Sequence, residues 1–277
     1  MSRAASNAVV SGVDQFRLDG DVVLITGATG HLGRQMAEAL AHAGAHVLVN
    51  SRDGAAAGAL AQALSGRGLQ ATALPFDVTD PGAMSTAALE IGARHSRLDI
   101  LINNAYSGRP ATIERAGFDE FQLAFAVAVS GPFTLLKSLL PLLEASGRSR
   151  SGGASVINIA SMYAGVSPDP RIYGSSGQNS APYYGSAKSG LIQLTRYLAV
   201  HLAPRNIRVN SISPGPFPSA TTVAASPEFI ARLQEKVPLG RVGSPGEIGG
   251  PALFLASRGS AFVTGADLPV DGGWTCW

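Results

Sequence analysis

Short runs rich in apolar residues alternate along this chain with longer segments in which apolar residues recur every three or four positions. The runs are Val22-Val23-Leu24-Ile25, Val47-Leu48-Val49, Ala71 to Phe76, Asp99 to Ile102, Val156 to Ala160, Ile207 to Ile212 and Ala266 to Val270. Val22–Ile25 is apolar on consecutive positions, which predicts a strand buried on both faces of a parallel sheet; Val156–Ala160 reads as another buried strand and the others as further strands. Helical spacing runs through Met36, Leu40 and Ala43, through Leu60 and Leu64, over 82–95, over 118–143 and over 184–201. Pro132 and Pro141 should bend or interrupt the fourth of these helices. Ser244 followed by Glu247 predicts a further helix start of the capping-box kind. Strands alternating with helices throughout predict an α/β fold with a doubly wound sheet.

Residues 1–18 are polar and small without a periodicity that would bury a face, so they predict a loose arm ahead of one domain over 19–277. At 277 residues, with 45% hydrophobic and 14% charged residues, the chain has ample material for one large core, and no linker divides it. A formal charge of +2 and the lack of a basic cluster argue against a nucleic-acid partner. No apolar run approaches the roughly 18 residues that span a bilayer, so no membrane partner is expected. The single cysteine, Cys276, fits a reducing, cytoplasmic location.

Candidate chemistry lies where strands end. The first strand runs into Thr26-Gly27-Ala28-Thr29-Gly30-His31-Leu32-Gly33 and then a helix. Glycines there let backbone approach a pyrophosphate, and a helix N-terminus offers free N–H groups with partial positive charge. The second strand ends in Asn50-Ser51-Arg52, where a carboxylate would hold the ribose 2′-hydroxyl of NAD. A neutral Asn with an arginine two positions on favours a 2′-phosphate and therefore NADP(H), while Asp53 leaves NAD(H) possible. Asp77, followed by Val78, is placed either to accept from an adenine amino group or to cap the next helix. Asn103 and Asn104, before Ala105, can satisfy backbone groups between neighbouring strands. Ser161, at the end of the fifth run, can hold a substrate carbonyl. Tyr184 and Lys188, four apart at the start of a helix, share one face, and the ammonium together with a positively charged nicotinamide should lower the phenol's pKa toward neutrality. The Pro- and Gly-rich stretch between Ser161 and Tyr184 suits an active-site wall, and 217–237 a mobile lid. No group of residues suggests a metal site.

These motifs, in this order and with Pro214-Gly215 and Asp271-Gly272-Gly273 after them, resemble the short-chain dehydrogenase/reductase family over about residues 20–273. The resemblance implies a Rossmann-type fold with a seven-stranded parallel sheet, NAD(P)(H) binding, a small-molecule substrate and a homo-oligomer, tetramer or dimer. By it Tyr184 is the acid/base, Lys188 holds the nicotinamide ribose and Ser161 orients the substrate oxygen. The tyrosine-rich stretch 163–183 resembles members acting on polyhydroxylated substrates, such as gluconate 5-dehydrogenase. A 3-oxoacyl-carrier-protein reductase is the enzymatic alternative, and a nucleotide-binding sensor without catalysis is the alternative of another class. The chain departs from the family at three places: His31 replaces the middle glycine of the turn, Tyr106 replaces the glycine of N-N-A-G, and Ala128 replaces an asparagine that serves a proton relay. The last departure implies slower proton exchange with solvent.

Overall fold

The computed structural model describes residues 12–277. Its strands are β1 (Val22–Ile25), β2 (His46–Val49), β3 (Ala71–Ala73), β4 (Ile100–Asn103), β5 (Ala154–Ile159), β6 (Ile207–Pro214) and β7 (Asp267–Val270). They form one parallel sheet in the order β3-β2-β1-β4-β5-β6-β7. This is a doubly wound Rossmann-type fold. The helices are α1 (His31–His42), α2 (Gly54–Ser65), α3 (Pro81–His95), α4 (Phe118–Phe125), α5 (Gly131–Ser149), α6 (Pro182–Leu202), α7 (Ala220–Ala225), α8 (Pro227–Lys236) and α9 (Gly249–Ala256).

The continuous apolar runs have a simple cause. Successive side chains of a strand point to opposite faces, and both faces are covered. Val23, Ile25, Val47, Val49, Ile100 and Ile102 pack into the core under α1, α2 and α9. Leu24, Leu48, Leu101, Val156 and Val209 pack into the core under α3, α5 and α6. Winding reverses between β1 and β4, so the carboxyl ends of β1, β4 and β5 open onto a shared crevice.

Four expectations are corrected. Residues 1–11 of the expected arm lie outside the described residues, and 12–18 are not loose: Asp14–Phe16 form a 3₁₀ turn, and buried Leu18 donates its N–H to Ala43. Strand β3 ends at Ala73 rather than Phe76, since Pro75 carries no N–H and the carbonyls of Leu74 and Phe76 accept from the Asn50 amide. The long helix divides at a π-turn over Ala126–Ser130 just ahead of Pro132, whereas Pro141 sits inside α5 without breaking it. By length and composition alone the helical run Phe118–Ser149 is long and apolar enough to cross a membrane, where the sequence reading found no run of that length. Its apolarity serves the core instead, where Leu135, Leu136, Leu139 and Leu143 are buried.

Candidate active site

A cavity of about 630 Å³ lies at the carboxyl ends of the central strands. On its wall are Gly27, Thr29, Gly30, His31, Leu32 and Gly33 from the first turn; Asn50, Ser51 and Arg52 after β2; and Asp77 and Val78. Asn104 and Ala105 after β4, Ser161 after β5, Tyr184 and Lys188 from α6, and Pro214 and Gly215 at the end of β6 complete it. The fold thus gathers every candidate site residue at one crevice.

The glycine turn is held from below. The Asn104 amide donates to the carbonyls of Thr26 and Gly27 at 3.0 and 2.9 Å, and the Thr26 hydroxyl accepts the N–H groups of Asn104 and Ala105. Gly27 has φ +61°, and a Cβ on Gly33 would collide with the Gly27 carbonyl, so both positions require glycine. Gly30 is the N-cap of α1 and supplies no side chain, so the N–H groups at the head of this 12-residue helix face the cavity uncapped. His31 opens α1 with an exposed side chain.

Asn50 and Asp77 take narrower parts than their sequence positions suggested. The Asn50 amide is buried and engaged with Leu74, Phe76 and the Gly27 N–H, so it braces the turns beneath the cavity. Exposed Arg52 follows and lies 3.9 Å from the Asp77 carboxylate. Partial burial pushes that carboxyl up, but hydrogen bonds from Thr79 and the Arg52 charge outweigh it and hold it below the usual range. Asp80, rather than Asp77, caps α3.

Helix α6 is registered against the sheet by a buried chain of side chains. Asn103 donates to Asn158 and Asn158 to Thr195, each at 2.8 Å, and Thr195 donates to the Leu191 carbonyl. Gly185 lets the first turn of α6 lie directly on the Tyr163 carbonyl. Tyr184 and Lys188 are thereby fixed. Lys188 is 3% exposed, and its Nζ donates to the Ile159 carbonyl at 2.6 Å. Burial lowers its pKa to about 8. Ser161 accepts the Tyr163 N–H at 3.1 Å and hydrogen-bonds Tyr184.

The expected depression of the tyrosine is reversed in the protein alone. Burial pushes the Tyr184 phenol up, Ser161 pulls it part of the way back, and Tyr173 adds to the rise. Lys188 Nζ lies 6.0 Å from the Tyr184 ring centroid, too far for its charge to offset the burial of the phenol.

A second cavity of about 920 Å³ adjoins the first and shares Tyr106, Tyr173, Tyr184, Thr222 and Phe229 with it. Arg109, Ser175, Gln178, Asn179 and Arg232 line its outer part. Sequence reading did not single out the arginines, Phe217 or Phe229; the length of the 217–237 segment was the one signal for Phe217, Phe229 and Arg232, and Arg109, between β4 and α4, had none. The segment expected to be a mobile lid is ordered as α7 and α8, with Ile230 and Leu233 buried against Met162, Ile172 and Trp274.

The family model described as enoyl-(acyl carrier protein) reductase matches residues 27–275. The rhamnolipids biosynthesis 3-oxoacyl-[acyl-carrier-protein] reductase of Pseudomonas aeruginosa is 36% identical over 261 residues, covering 94% of this chain and 98% of that protein. The galactitol 2-dehydrogenase (L-tagatose-forming) of Cereibacter sphaeroides is 34% identical, covering 95% and 98%. Among solved structures, a gluconate 5-dehydrogenase from Burkholderia cenocepacia, in complex with NADP and tartrate, superposes with TM-score 0.85 at 31% identity, covering 96% and 99%. The chain belongs to the short-chain dehydrogenase/reductase family. It is an oxidoreductase acting on CH–OH groups, which closes the sensor alternative.

Proposed function

We propose that the protein is an NADP(H)-dependent oxidoreductase that interconverts a secondary alcohol and a ketone on a polar, polyhydroxylated substrate with an acidic end. The single observation that carries the substrate reading is the outer cavity. It opens beside Tyr184 and ends in Arg109 and Arg232 among short polar side chains. The Arg109 guanidinium makes no hydrogen bond or ion pair among the described residues, and a planar carboxylate is its natural partner. Relatives named for galactitol, D-threitol and gluconate support the class.

The cofactor fits the first cavity by its donors. The uncapped head of α1 suits the pyrophosphate, Ser51 and Arg52 suit a 2′-phosphate, Asp77 and Val78 suit the adenine, and Ala105, Pro214 and Gly215 flank the nicotinamide end. NAD(H) remains possible through the ribose alone. NADP(H), when bound, supplies or accepts the hydride. The protein's own groups handle the proton. Tyr184, whose phenol burial pushes further up, carries the proton and donates it to the substrate oxygen during reduction. Ser161 accepts the Tyr163 N–H, which orients its hydroxyl to donate to the same oxygen. Lys188 uses one of its three donors on Ile159 and keeps two for ribose hydroxyls.

A 3-oxoacyl thioester is the second reading, favoured by the Pseudomonas relative and by apolar Phe217, Phe229 and Leu233 at the lid end of the cleft. We also infer a cytoplasmic homo-oligomer. Exposed Phe118, Leu123, Phe133, Tyr197 and Val200 on α4, α5 and α6 support the association. At the C-terminus Trp274 is buried beside Tyr163, whereas Trp277 is 79% exposed.

Following NADPH and NADH oxidation on keto-sugar acids, ketoses and 3-oxoacyl thioesters tests these readings. NADPH turnover on a keto-sugar acid is expected, with Tyr184→Phe lowering kcat by about 10²–10⁴-fold and leaving the Kd for NADPH within twofold. Turnover confined to thioesters would select the second reading.

A further inference from the structure

Lys188 is a buried cation with little to offset its charge. Its Nζ donates to the Ile159 carbonyl at 2.6 Å, and no carboxylate pairs with it among the described residues. The elements packed against α6 bring no acid to it: β5, β6 and the π-turn contain none, and Asp119 and Glu120 of α4 are exposed. Arg208 of β6 is spent on the carbonyls of Leu255 and Ser257. The groups that do face the ammonium are aromatic. The centroid of the Tyr106 ring lies 5.1 Å from Nζ, and that of Tyr184 lies 6.0 Å away.

Tyr106 stands where the family resemblance expects glycine, and Ala128 where it expects asparagine; both belong to one apolar cluster. A side-chain amide is missing there and a ring has been gained. That ring packs edge-on against Tyr184 with centroids 4.9 Å apart, so it meets both members of the Tyr184 and Lys188 pair. Its hydroxyl makes no hydrogen bond, and burial, with Tyr184 and Tyr183 adding to it, pushes the phenol up. Tyr106 therefore stays neutral and does not serve as a counter-ion. A neutral ring attracts a cation through its negative face, over centroid distances up to about 6 Å, and more strongly where water is excluded.

We propose that Tyr106 is a positioning residue: its ring face, set against Tyr184, steadies the buried Lys188 ammonium in the cleft, in place of a polar side chain at position 128. This rests on the part proposed for Lys188 in the reaction and deepens it. The ring acts through Lys188 and needs no contact with the substrate, and its hydroxyl has no share in the effect.

The chain has three lysines, Lys137, Lys188 and Lys236, so labelling lysine with ¹³C at Cε gives three signals, and Lys188→Met identifies the one of interest. Its titration is followed by NMR in the cofactor-free protein for the native chain, for Tyr106→Phe, and for phenylalanines bearing two and three ring fluorines at position 106. Tyr106→Phe loses only an unpaired hydroxyl, and the fluorines keep the ring's shape while withdrawing charge from its face. In Tyr106→Phe the Lys188 midpoint should stay within about 0.3 pH unit of native, and it should fall stepwise with fluorination, by about one unit at three fluorines. With NADPH and a ketone that the native enzyme reduces, the alkaline limb of kcat should move to lower pH in the same order. A midpoint that stays in place across the fluorinated series overturns the proposal, as does a fall in Tyr106→Phe as large as that of the trifluorinated ring. A kcat profile that ignores a falling midpoint overturns it too, since the ring would then touch Lys188 without positioning it. Absence of turnover on every ketone counts against the proposed function instead, and the titration alone then decides Tyr106.

Discussion

The two walls of the cleft are built on different principles. On the side of β1 to β3, the wall is backbone: a glycine turn, the head of α1 and the buried amides of Asn50 and Asn104 that brace it. On the side of the 161–183 segment and α8, it is side chains from distant parts of the chain. Arg232 reaches back to the Ile172 carbonyl at 2.8 Å, Lys236 pairs with Asp169, and Tyr173 packs on Phe229 with centroids 5.6 Å apart. A backbone wall suits a ligand shared by a whole family, since it leaves side chains little to vary. A wall of side chains on loops can be rewritten without disturbing the sheet.

Altering a glycine attacks the backbone wall most directly. Gly33→Ala places a methyl group against the Gly27 carbonyl, and neither backbone segment can yield without opening the turn. Overpacking of about 1–3 kcal/mol should lower Tm by several degrees. Binding of NADPH should weaken more than 100-fold, as measured by fluorescence titration. A variant that bound NADPH normally would show that the turn is pliable and erase the contrast between the walls.

Lys188 lies on the seam and supplies a pH signature. Burial lowers its folded-state pKa to about 8 from the ordinary lysine value of 10.5. Between these values the unfolded chain binds the proton and the folded protein does not, so folding becomes more favourable as pH rises from 8 to 10.5. Relative to Lys188→Met, the native protein should gain roughly 3 kcal/mol of stability across that window and hold a constant difference below it. Denaturant unfolding of both proteins at a series of pH values checks this, and a flat difference throughout would mean that Lys188 is hydrated.

Arg52 tests whether the backbone wall discriminates as well as binds. Removing one charge-assisted contact costs about 1.5–3 kcal/mol, so Arg52→Ala should raise the Kd for NADPH roughly 10–100-fold and leave that for NADH within twofold. Parallel weakening of both cofactors would assign Arg52 to holding Asp77, its neighbour at 3.9 Å.

This division also explains what the sequence made legible. Val22–Ile25 reads as a buried strand because both its faces are covered, and Tyr184 with Lys188 reads as a pair because helix geometry alone brings positions four apart together. Those are local facts. The end of β3 was misplaced because it depends on Asn50 capturing carbonyls more than 20 residues away. The rise of the Tyr184 pKa in the protein without its cofactor carried no local signal, because burial is a property of the assembled core. Arg109 and Arg232 carried no local signal; they meet at one cavity only after α8 folds over the 161–183 segment.

The smallest expected effect concerns the latch between that segment and α8. Asp169 caps the turn at Pro170–Tyr173, pairs with Arg171 and reaches Lys236 on α8. Hydrogen bonds from Arg171 and then Lys236 hold its carboxyl far below the usual range, so Asp169 keeps its charge throughout the neutral range. Ion pairs at a protein surface contribute little to stability. The sheet does not depend on this one, so Asp169→Asn should leave Tm within about 2 °C. Opening of the outer cavity depends on it more directly, and KM should rise about two- to fivefold with kcat and the Kd for NADPH little changed. A double-mutant cycle with Lys236→Met isolates the pair, because the second substitution should add almost nothing once the first is made. Additive effects on KM would mean that Asp169 acts through its own turn and that the buried contacts of Ile230 and Leu233 alone seat α8.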